Sequence, residues 1–260
     1  MYDRETLKKI VDYLLAKQGN KPLVVGLAGP QGSGKSTLSL QIQSLIQDSG
    51  IPAAVICLDD FYHTKATRVE LSRSVHPMLL TRGPPGSHDV EKLIEAIGKV
   101  KENNDTFTWP IFNKAMDDRE PNKVMTFKPT PNSPPIILLE GWCVGCLPTA
   151  IEPPLNELEA KEDSSAIWRT YVNEQIKTRY TSLWKMLDVY MYITIPDWGF
   201  VMQWRHQQSI SNQETSLDLN RFIQFFERIS RSMMEPTGRI PTDVLICMAP
   251  DHSIDHVTLR

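Results

Sequence analysis

Several features are scarce in this 260-residue chain, and each scarcity excludes a class of protein. The chain has 4 cysteines, too few for a disulfide framework at this length. No apolar run approaches the roughly 18 residues that a membrane span needs, and the start of the chain is acidic where a signal peptide would be basic and then apolar. Excess charge is also missing, since 28 Lys and Arg stand against 31 Asp and Glu. We therefore expect a cytoplasmic protein that binds neither nucleic acid nor membrane.

Short apolar runs alternate with helical patterns along the chain. Strand-length runs are predicted at residues 23–28, 53–58, 136–139, 189–195 and 244–248. Helical spacing of apolar residues occurs at 5–17, 38–46, 90–100, 167–187, 197–208 and 217–233. Strands that lack in-out alternation and are separated by helices are typical of a parallel sheet covered on both faces. The pattern predicts an α/β fold.

Two segments interrupt this alternation. Residues 103–135 are rich in Asn, Asp, Pro and Lys, and residues 148–165 are proline-rich and acidic. In an α/β protein such segments are usually surface loops. The length of the chain predicts a single domain over residues 1–260 that carries both segments as loop insertions.

A phosphate-binding motif follows the first predicted strand. The pattern G-x-x-x-x-G-K-[ST] is formed by Gly29, Pro30, Gln31, Gly32, Ser33, Gly34, Lys35 and Ser36, with Thr37 directly after it. Glycines let backbone N–H groups surround phosphate oxygens, and the following helix adds its positive N-terminal end. Lys35 supplies charge to the outer phosphates, and the Ser36 hydroxyl can ligate Mg²⁺. The motif predicts ATP and Mg²⁺ as cofactors, whereas the spacing disfavours a dinucleotide site.

Acidic residues stand at the ends of two further predicted strands. Asp59 and Asp60 follow the second strand, and Glu140 ends the third. In open parallel sheets, chemistry gathers beyond the carboxyl ends of the strands. One carboxylate there could accept the proton of an attacking hydroxyl, and another could hold metal-bound water. A solvated loop acid or a helix cap is the alternative for any one of them.

Taken together, these motifs resemble the P-loop small-molecule kinases, which include uridine kinase, phosphoribulokinase, bacterial pantothenate kinase and plant-type D-glycerate 3-kinase. Residues 82–89, 112–115, 140–142 and 203–205 resemble the glycerate kinase branch. The resemblance implies a three-layer P-loop NTPase fold of the nucleoside-monophosphate-kinase type, with a mostly parallel sheet. It also implies a lid helix near residues 197–211.

The resemblance assigns roles to individual side chains. It implies that Lys35, Asp59 as general base and Arg205 on the lid are catalytic, and that Ser36 and Glu140 hold the metal. The residues expected to bind the acceptor are Asp60, Tyr62, Arg82, His88, Asp89, Asn113 and Lys114. Three alternatives stay open: Asp60 as the base, Asp89 as a cap of the following helix, and Arg205 as a solvated surface residue.

The resulting prediction is a monomeric enzyme that transfers the γ-phosphoryl group of ATP to a hydroxyl of a small metabolite. D-glycerate is the expected acceptor, because residues 82–89 and 140–142 look more like the glycerate kinase branch. In that reading Arg82 can provide a two-pronged donor for the carboxylate. Pantothenate, a nucleoside or another sugar acid is the first alternative. A P-loop ATPase switch with a protein partner is the second.

Overall fold

The computed structural model describes residues 2–103, 106–130, 133–212 and 216–260. Its strands are β1 Leu23–Ala28, β2 Ala53–Cys57, β3 Phe107–Asn113, β4 Asp118–Phe127, β5 Ile136–Glu140, β6 Val189–Thr194, β7 Val244–Met248 and β8 Ile254–Leu259. Its α-helices are α1 Arg4–Lys17, α2 Lys35–Asp48, α3 Lys65–Ser74, α4 Val90–Asn103, α5 Glu157–Glu162, α6 Ile167–Gln175, α7 Thr181–Trp184, α8 Gly199–Asn212 and α9 Ser216–Met234.

A six-stranded sheet with the order β2-β5-β1-β6-β7-β8 forms the centre of the fold. All its pairings are parallel except that of β8, which runs antiparallel to β7. Every residue of β1 and of β5 is buried, which explains why these strands are continuous apolar runs without alternation. The predicted α/β class with a mostly parallel sheet is confirmed.

Helices pack on both faces of this sheet and bury two apolar clusters. Leu7 of α1, Ile42 of α2 and Val201 of α8 belong to the cluster on one face. Leu93 of α4 and Trp168 of α6 belong to the cluster on the other face. Complete burial of one such side chain contributes about 1.5–3 kcal/mol. The two apolar clusters therefore hold the helices of both outer layers against the sheet. Within the described ranges, no helix combines the length and apolarity needed to cross a bilayer.

The two interrupting segments contain more secondary structure than their composition predicts. In residues 103–135, β3 and β4 pair into an antiparallel hairpin, so the expectation of a loop is wrong for most of this segment; residues 104–105 and 131–132 lie outside the described residues. In residues 148–165, α5 forms with Asn156 as its N-cap. The long helix expected over 167–187 is divided by a π-helical turn at Ile176–Tyr180.

The strand register brings the predicted site residues to one edge of the sheet. Glu140 at the end of β5 lies opposite Leu27 of β1 and opposite Cys57 of β2. The P-loop follows β1 directly, and Asp59 and Asp60 lie in a 3₁₀ turn that follows β2. The carboxyl ends of three adjacent strands therefore surround the N-terminus of α2.

Candidate active site

Backbone conformation in the loop between β1 and α2 requires glycine at two positions. Gly32 and Gly34 have φ angles of 79° and 82°, in the left-handed region that side chains disfavour. Gly34 is the residue before α2, so the loop leads straight into the helix N-terminus. This geometry presents backbone N–H groups and the positive helix end to one point, which is the arrangement that binds phosphate.

Polar side chains of the same loop are buried without protein partners. The side-chain oxygen and nitrogen of Gln31 and the hydroxyl of Ser33 find no hydrogen-bond partner among the described residues. Buried polar groups are normally paired, so these atoms fit a polar ligand held in the loop. Lys35 Nζ donates to the carbonyl oxygens of Gly29 and Pro30, both at 2.9 Å. Burial is the largest influence on the Lys35 ammonium and lowers its pKa, although the negative charges of Glu140 and Asp59 act to raise it.

Glu140 and Ser36 are in direct contact. The Ser36 hydroxyl donates to Glu140 Oε1 at 2.8 Å, although the two residues are 104 positions apart in the chain. Glu140 is buried, with 4% of its surface exposed. Among the described residues, no group of three or more His, Cys, Asp and Glu side chains is arranged to hold a metal ion. One hydroxyl and one carboxylate are what Mg²⁺ takes from a protein when phosphates and waters complete its shell.

Asp59 lies between two hydrogen-bond donors. Its Oδ2 accepts from Lys114 Nζ at 2.9 Å, and its Oδ1 accepts from the Tyr62 hydroxyl at 2.9 Å. Burial alone would raise the pKa of the Asp59 carboxyl, but the charge and hydrogen bond of Lys114, with smaller contributions from His88 and Tyr62, lower it overall. The carboxylate is therefore ionised and able to accept a proton. Its charge also acts to raise the pKa of Lys35.

Asp60 contacts the β3–β4 hairpin. Its Oδ1 accepts from the backbone N–H of Phe112 at 3.3 Å. Burial, with the neighbouring charges of Asp59 and Glu140, raises the pKa of Asp60 to about 6. Asp60 thus links the hairpin to the turn after β2, and both Asp59 as the base and Asp60 as the alternative stay predictions.

Three of the predicted acceptor residues make contacts within the protein that explain their position. Asp89 accepts from the backbone N–H of Lys92 at 3.2 Å and pairs with Arg119 at 3.2 Å, as a cap of α4 does. Asn113 donates to Glu120 at 2.8 Å and accepts from two backbone N–H groups of the hairpin turn. Arg82 pairs with Asp117, and its guanidinium carbon lies 5.5 Å from the centre of the Phe112 ring.

His88 is buried behind Tyr62. Its ring stacks on the Tyr62 ring at 4.4 Å between centroids, and its Nδ1 lies 2.7 Å from the Tyr180 hydroxyl. Burial lowers the pKa of His88 to about 3, so the ring is neutral at neutral pH. Its Nε2 has no hydrogen-bond partner in the described part of the chain. In this state His88 supports Tyr62 and, through it, Asp59; its predicted role in acceptor binding stays a prediction.

The expected lid corresponds to α8, which contacts the P-loop. A methyl group added at Gly32 would lie 3.1 Å from the Trp204 Cβ and 3.7 Å from the Arg205 backbone nitrogen. The guanidinium carbon of Arg205 lies 5.4 Å from the centre of the Phe222 ring of α9. Arg205 thus belongs to the helix beside the phosphate loop, and its action on the γ-phosphate stays a prediction.

Sequence reasoning missed three residues of this region. Arg119 donates to the carbonyl oxygens of Phe61 and Tyr62 and so fixes the turn that carries the acids. Asp117 pairs with Arg82 and Arg68. The hydroxyl oxygen of Tyr2 would lie 2.1 Å from a methyl group at Gly34. No local pattern marks these residues, because each contact joins segments distant in sequence.

A P-loop, a serine that donates to a buried glutamate, and an ionised aspartate meet at one edge of a parallel sheet. This combination defines the class of P-loop phosphoryl-transfer proteins. Comparison with known proteins agrees. Residues 24–146 match the phosphoribulokinase/uridine kinase family. A probable ATP-dependent kinase of Saccharomyces cerevisiae is 30% identical over 206 residues, covering 73% of this chain and 68% of that protein.

The chain therefore belongs to the phosphoribulokinase/uridine kinase family. The chloroplastic D-glycerate 3-kinase of Arabidopsis thaliana is 31% identical over 246 residues, which are 86% of this chain and 52% of that protein; the chain spans about half the length of that relative. Among solved structures, a D-glycerate 3-kinase from Cryptococcus neoformans has the same fold, with a TM-score of 0.79 at 22% identity over 98% of this chain and 99% of the other.

Proposed function

We propose that the protein is an ATP-dependent kinase that transfers the γ-phosphoryl group to the primary hydroxyl of D-glycerate, giving 3-phosphoglycerate. The convergence of Lys35, Ser36, Asp59 and Glu140 at one edge of the sheet carries the phosphoryl-transfer part of this proposal. The acceptor is supported by the D-glycerate 3-kinase named among the relatives. It is also supported by two cations that suit a carboxylate: Lys114, which contacts Asp59, and Arg82, which pairs with Asp117.

The residues divide the reaction between them. Backbone N–H groups of the P-loop and the N-terminus of α2 hold the phosphates, and Lys35 turns from the loop carbonyls to the outer phosphates. The acceptor oxygen bonds to the γ-phosphorus while the bond from that phosphorus to the bridging oxygen of ADP breaks, and Asp59 takes the proton of the acceptor hydroxyl. Ser36 and Glu140 would hold Mg²⁺, which neutralises charge on the phosphates when bound.

A panel of acceptors tests the substrate. Initial rates of ATP-dependent turnover are measured with D-glycerate, L-glycerate, pantothenate, uridine and ribulose 5-phosphate. We expect a clear preference for D-glycerate, and a higher KM for it in Arg82→Lys, because an ammonium cannot make the two parallel hydrogen bonds of a guanidinium. Activity on uridine or pantothenate with none on D-glycerate would overturn the acceptor and leave the kinase chemistry standing.

Replacing Glu140 by glutamine tests the metal role. The amide keeps the size of the side chain and an acceptor for Ser36 but removes the negative charge. We expect the Mg²⁺ concentration at half-maximal activity to rise several-fold, since Mg²⁺ prefers carboxylate oxygens. Glu120→Gln is the matched control, because Glu120 lies in the hairpin and its side chain contacts Asn113. An unchanged Mg²⁺ titration in Glu140→Gln would contradict the assignment.

A further inference from the structure

Two guanidinium groups share one carboxylate at the tip of the β3–β4 hairpin. Arg68 Nη2 lies 3.0 Å from Asp117 Oδ2, and Arg82 Nη1 contacts Asp117 Oδ1. Arg68 is 1% exposed, whereas Arg82 is 24% and Asp117 34% exposed at the side chain. Arg82 and Asp117 can therefore exchange partners with a molecule that enters from solvent. Arg68 cannot, because it is enclosed.

Aromatic rings connect this trio to the proposed base. The guanidinium carbons of Arg68 and Arg82 lie 5.9 and 5.5 Å from the centre of the Phe112 ring. The same ring packs on Tyr62 at 5.2 Å between centroids, and Tyr62 donates to Asp59. The Phe112 and Tyr62 rings thus connect the trio to Asp59, and the proposed function puts the acceptor's hydroxyl at Asp59 and its other end at Arg82.

The backbone at Asp117 holds its carboxylate in this position. Its φ angle is 53°, a left-handed conformation that costs free energy for a residue other than glycine and is best tolerated by Asn and Asp. In this conformation Arg68 also donates to the backbone carbonyl of Asp117. Strain of this kind persists where the surrounding contacts fix it, and it is frequent at binding sites.

Charge in the trio is unbalanced by one unit. Two guanidinium groups and one carboxylate leave a single net positive charge, while Lys114 and Asp59 form a neutral pair beside it. A monoanion would neutralise the trio. A phosphorylated acceptor would bring a second negative charge against Asp117, and like charges in contact are unfavourable.

We infer that Asp117 is a specificity-determining residue, which neutralises one of the two arginines so that the site takes a monoanionic hydroxy acid and rejects a phosphorylated acceptor. This inference rests on the proposed function for the location of the acceptor. Arg82 is the group that meets the acceptor's carboxylate, and Arg68 holds the hairpin tip through Asp117.

Asp117→Asn tests the inference with three acceptors of different charge: glycerol, D-glycerate and glycerol 3-phosphate. The amide tolerates the same backbone conformation, and Arg68 keeps the carbonyl oxygens of His63, Leu80 and residue 117 as acceptors. We expect the ratio of kcat/KM for glycerol 3-phosphate to that for D-glycerate to rise by about tenfold or more, the effect of one charge removed at short range in a partly exposed site.

Asp118→Asn is the matched control, since Asp118 is the adjacent carboxylate and accepts from backbone N–H groups of Lys65 and Arg119. It should leave the ratio unchanged. Arg82→Gln is the second variant, and it should reduce the preference for D-glycerate over glycerol because the remaining pair of Arg68 and Asp117 is neutral. A ratio that stays the same in Asp117→Asn, with thermal unfolding showing a folded protein, would overturn the inference and leave Asp117 as a structural residue.

Equilibrium binding of D-glycerate and glycerol 3-phosphate in the absence of ATP separates this inference from the proposed function. In Asp117→Asn the affinity for glycerol 3-phosphate relative to that for D-glycerate should rise by the same factor as the ratio of their kcat/KM values. A shifted binding ratio in a protein that phosphorylates neither compound would support the role of Asp117 and overturn the proposed reaction. If the enzyme is active but the binding ratio is unshifted in Asp117→Asn, the proposed reaction stands and the role of Asp117 is overturned.

Discussion

Replacing Lys35 by alanine is expected to abolish phosphoryl transfer while the ligand-free protein remains folded. The loss should be at least about 10²–10³-fold in kcat, the scale of removing one preorganised partner of transition-state charge. Within the described part of the chain the Lys35 ammonium donates to two carbonyl oxygens of its own loop, and its pKa is lowered by burial. Its removal relieves that burial, so the free energy of unfolding should change by less than about 1 kcal/mol.

Lys21→Ala, at an exposed position before β1, is the control for the loss of one lysine. It should keep the wild-type rate. Turnover and thermal unfolding are measured on both variants under the same conditions. Near-normal turnover in Lys35→Ala would contradict the assignment of the phosphate site, and a large loss of stability would show that the lysine mainly holds the loop.

The second large effect is expected in Asp59→Asn. General-base catalysis is worth about 10²–10⁴-fold, so kcat should fall by that amount while the affinity for ATP changes little. Asp60→Asn is the paired variant, because Asp60 is adjacent and contacts the Phe112 backbone instead. We expect it to weaken acceptor binding more than the chemical step. A large fall of kcat in Asp60→Asn together with a normal kcat in Asp59→Asn would reverse the order of the two residues.

Lys114 makes the pH dependence of this step testable. Burial by itself would raise the pKa of Asp59. The charge and hydrogen bond of Lys114, aided by His88 and Tyr62, outweigh it, so the pKa lies below its usual value of about 3.9. Since the base works only when ionised, its protonation should reduce kcat/KM only below that value. Lys114→Met removes the largest lowering influence, so the acidic limb of the kcat/KM profile should move to higher pH. A limb that stays in place would show that Asp59 is not the titrating base.

The parts of the site that lie on local motifs could be predicted from the sequence. A P-loop is contiguous, and its strand and helix are adjacent in the chain, so Lys35 and Ser36 needed no knowledge of tertiary contacts. Glu140 could be placed because the carboxyl ends of parallel strands meet at one edge. The contact between Ser36 and Glu140 is the direct consequence of that rule.

The acceptor side could not be predicted in the same way. Most of β4 is exposed, so the sequence has no alternation of buried and exposed residues there, and the hairpin reads as a loop. Its tip then contributes Lys114 and Asp117 to partners more than 30 residues away. The antiparallel β8 was missed for a similar reason, since its residues are exposed or half-buried at the edge of the sheet.

Phosphorus-31 NMR of the protein with ATP, Mg²⁺ and D-glycerate tests the central claim most directly, because it shows where the γ-phosphoryl group goes. The account predicts a new phosphomonoester resonance, that of 3-phosphoglycerate, which grows as the γ-phosphate signal of ATP declines. It also predicts that this resonance is absent in Lys35→Ala. Conversion of ATP to ADP and inorganic phosphate alone, at the same rate with and without D-glycerate, would contradict the account and indicate an ATPase.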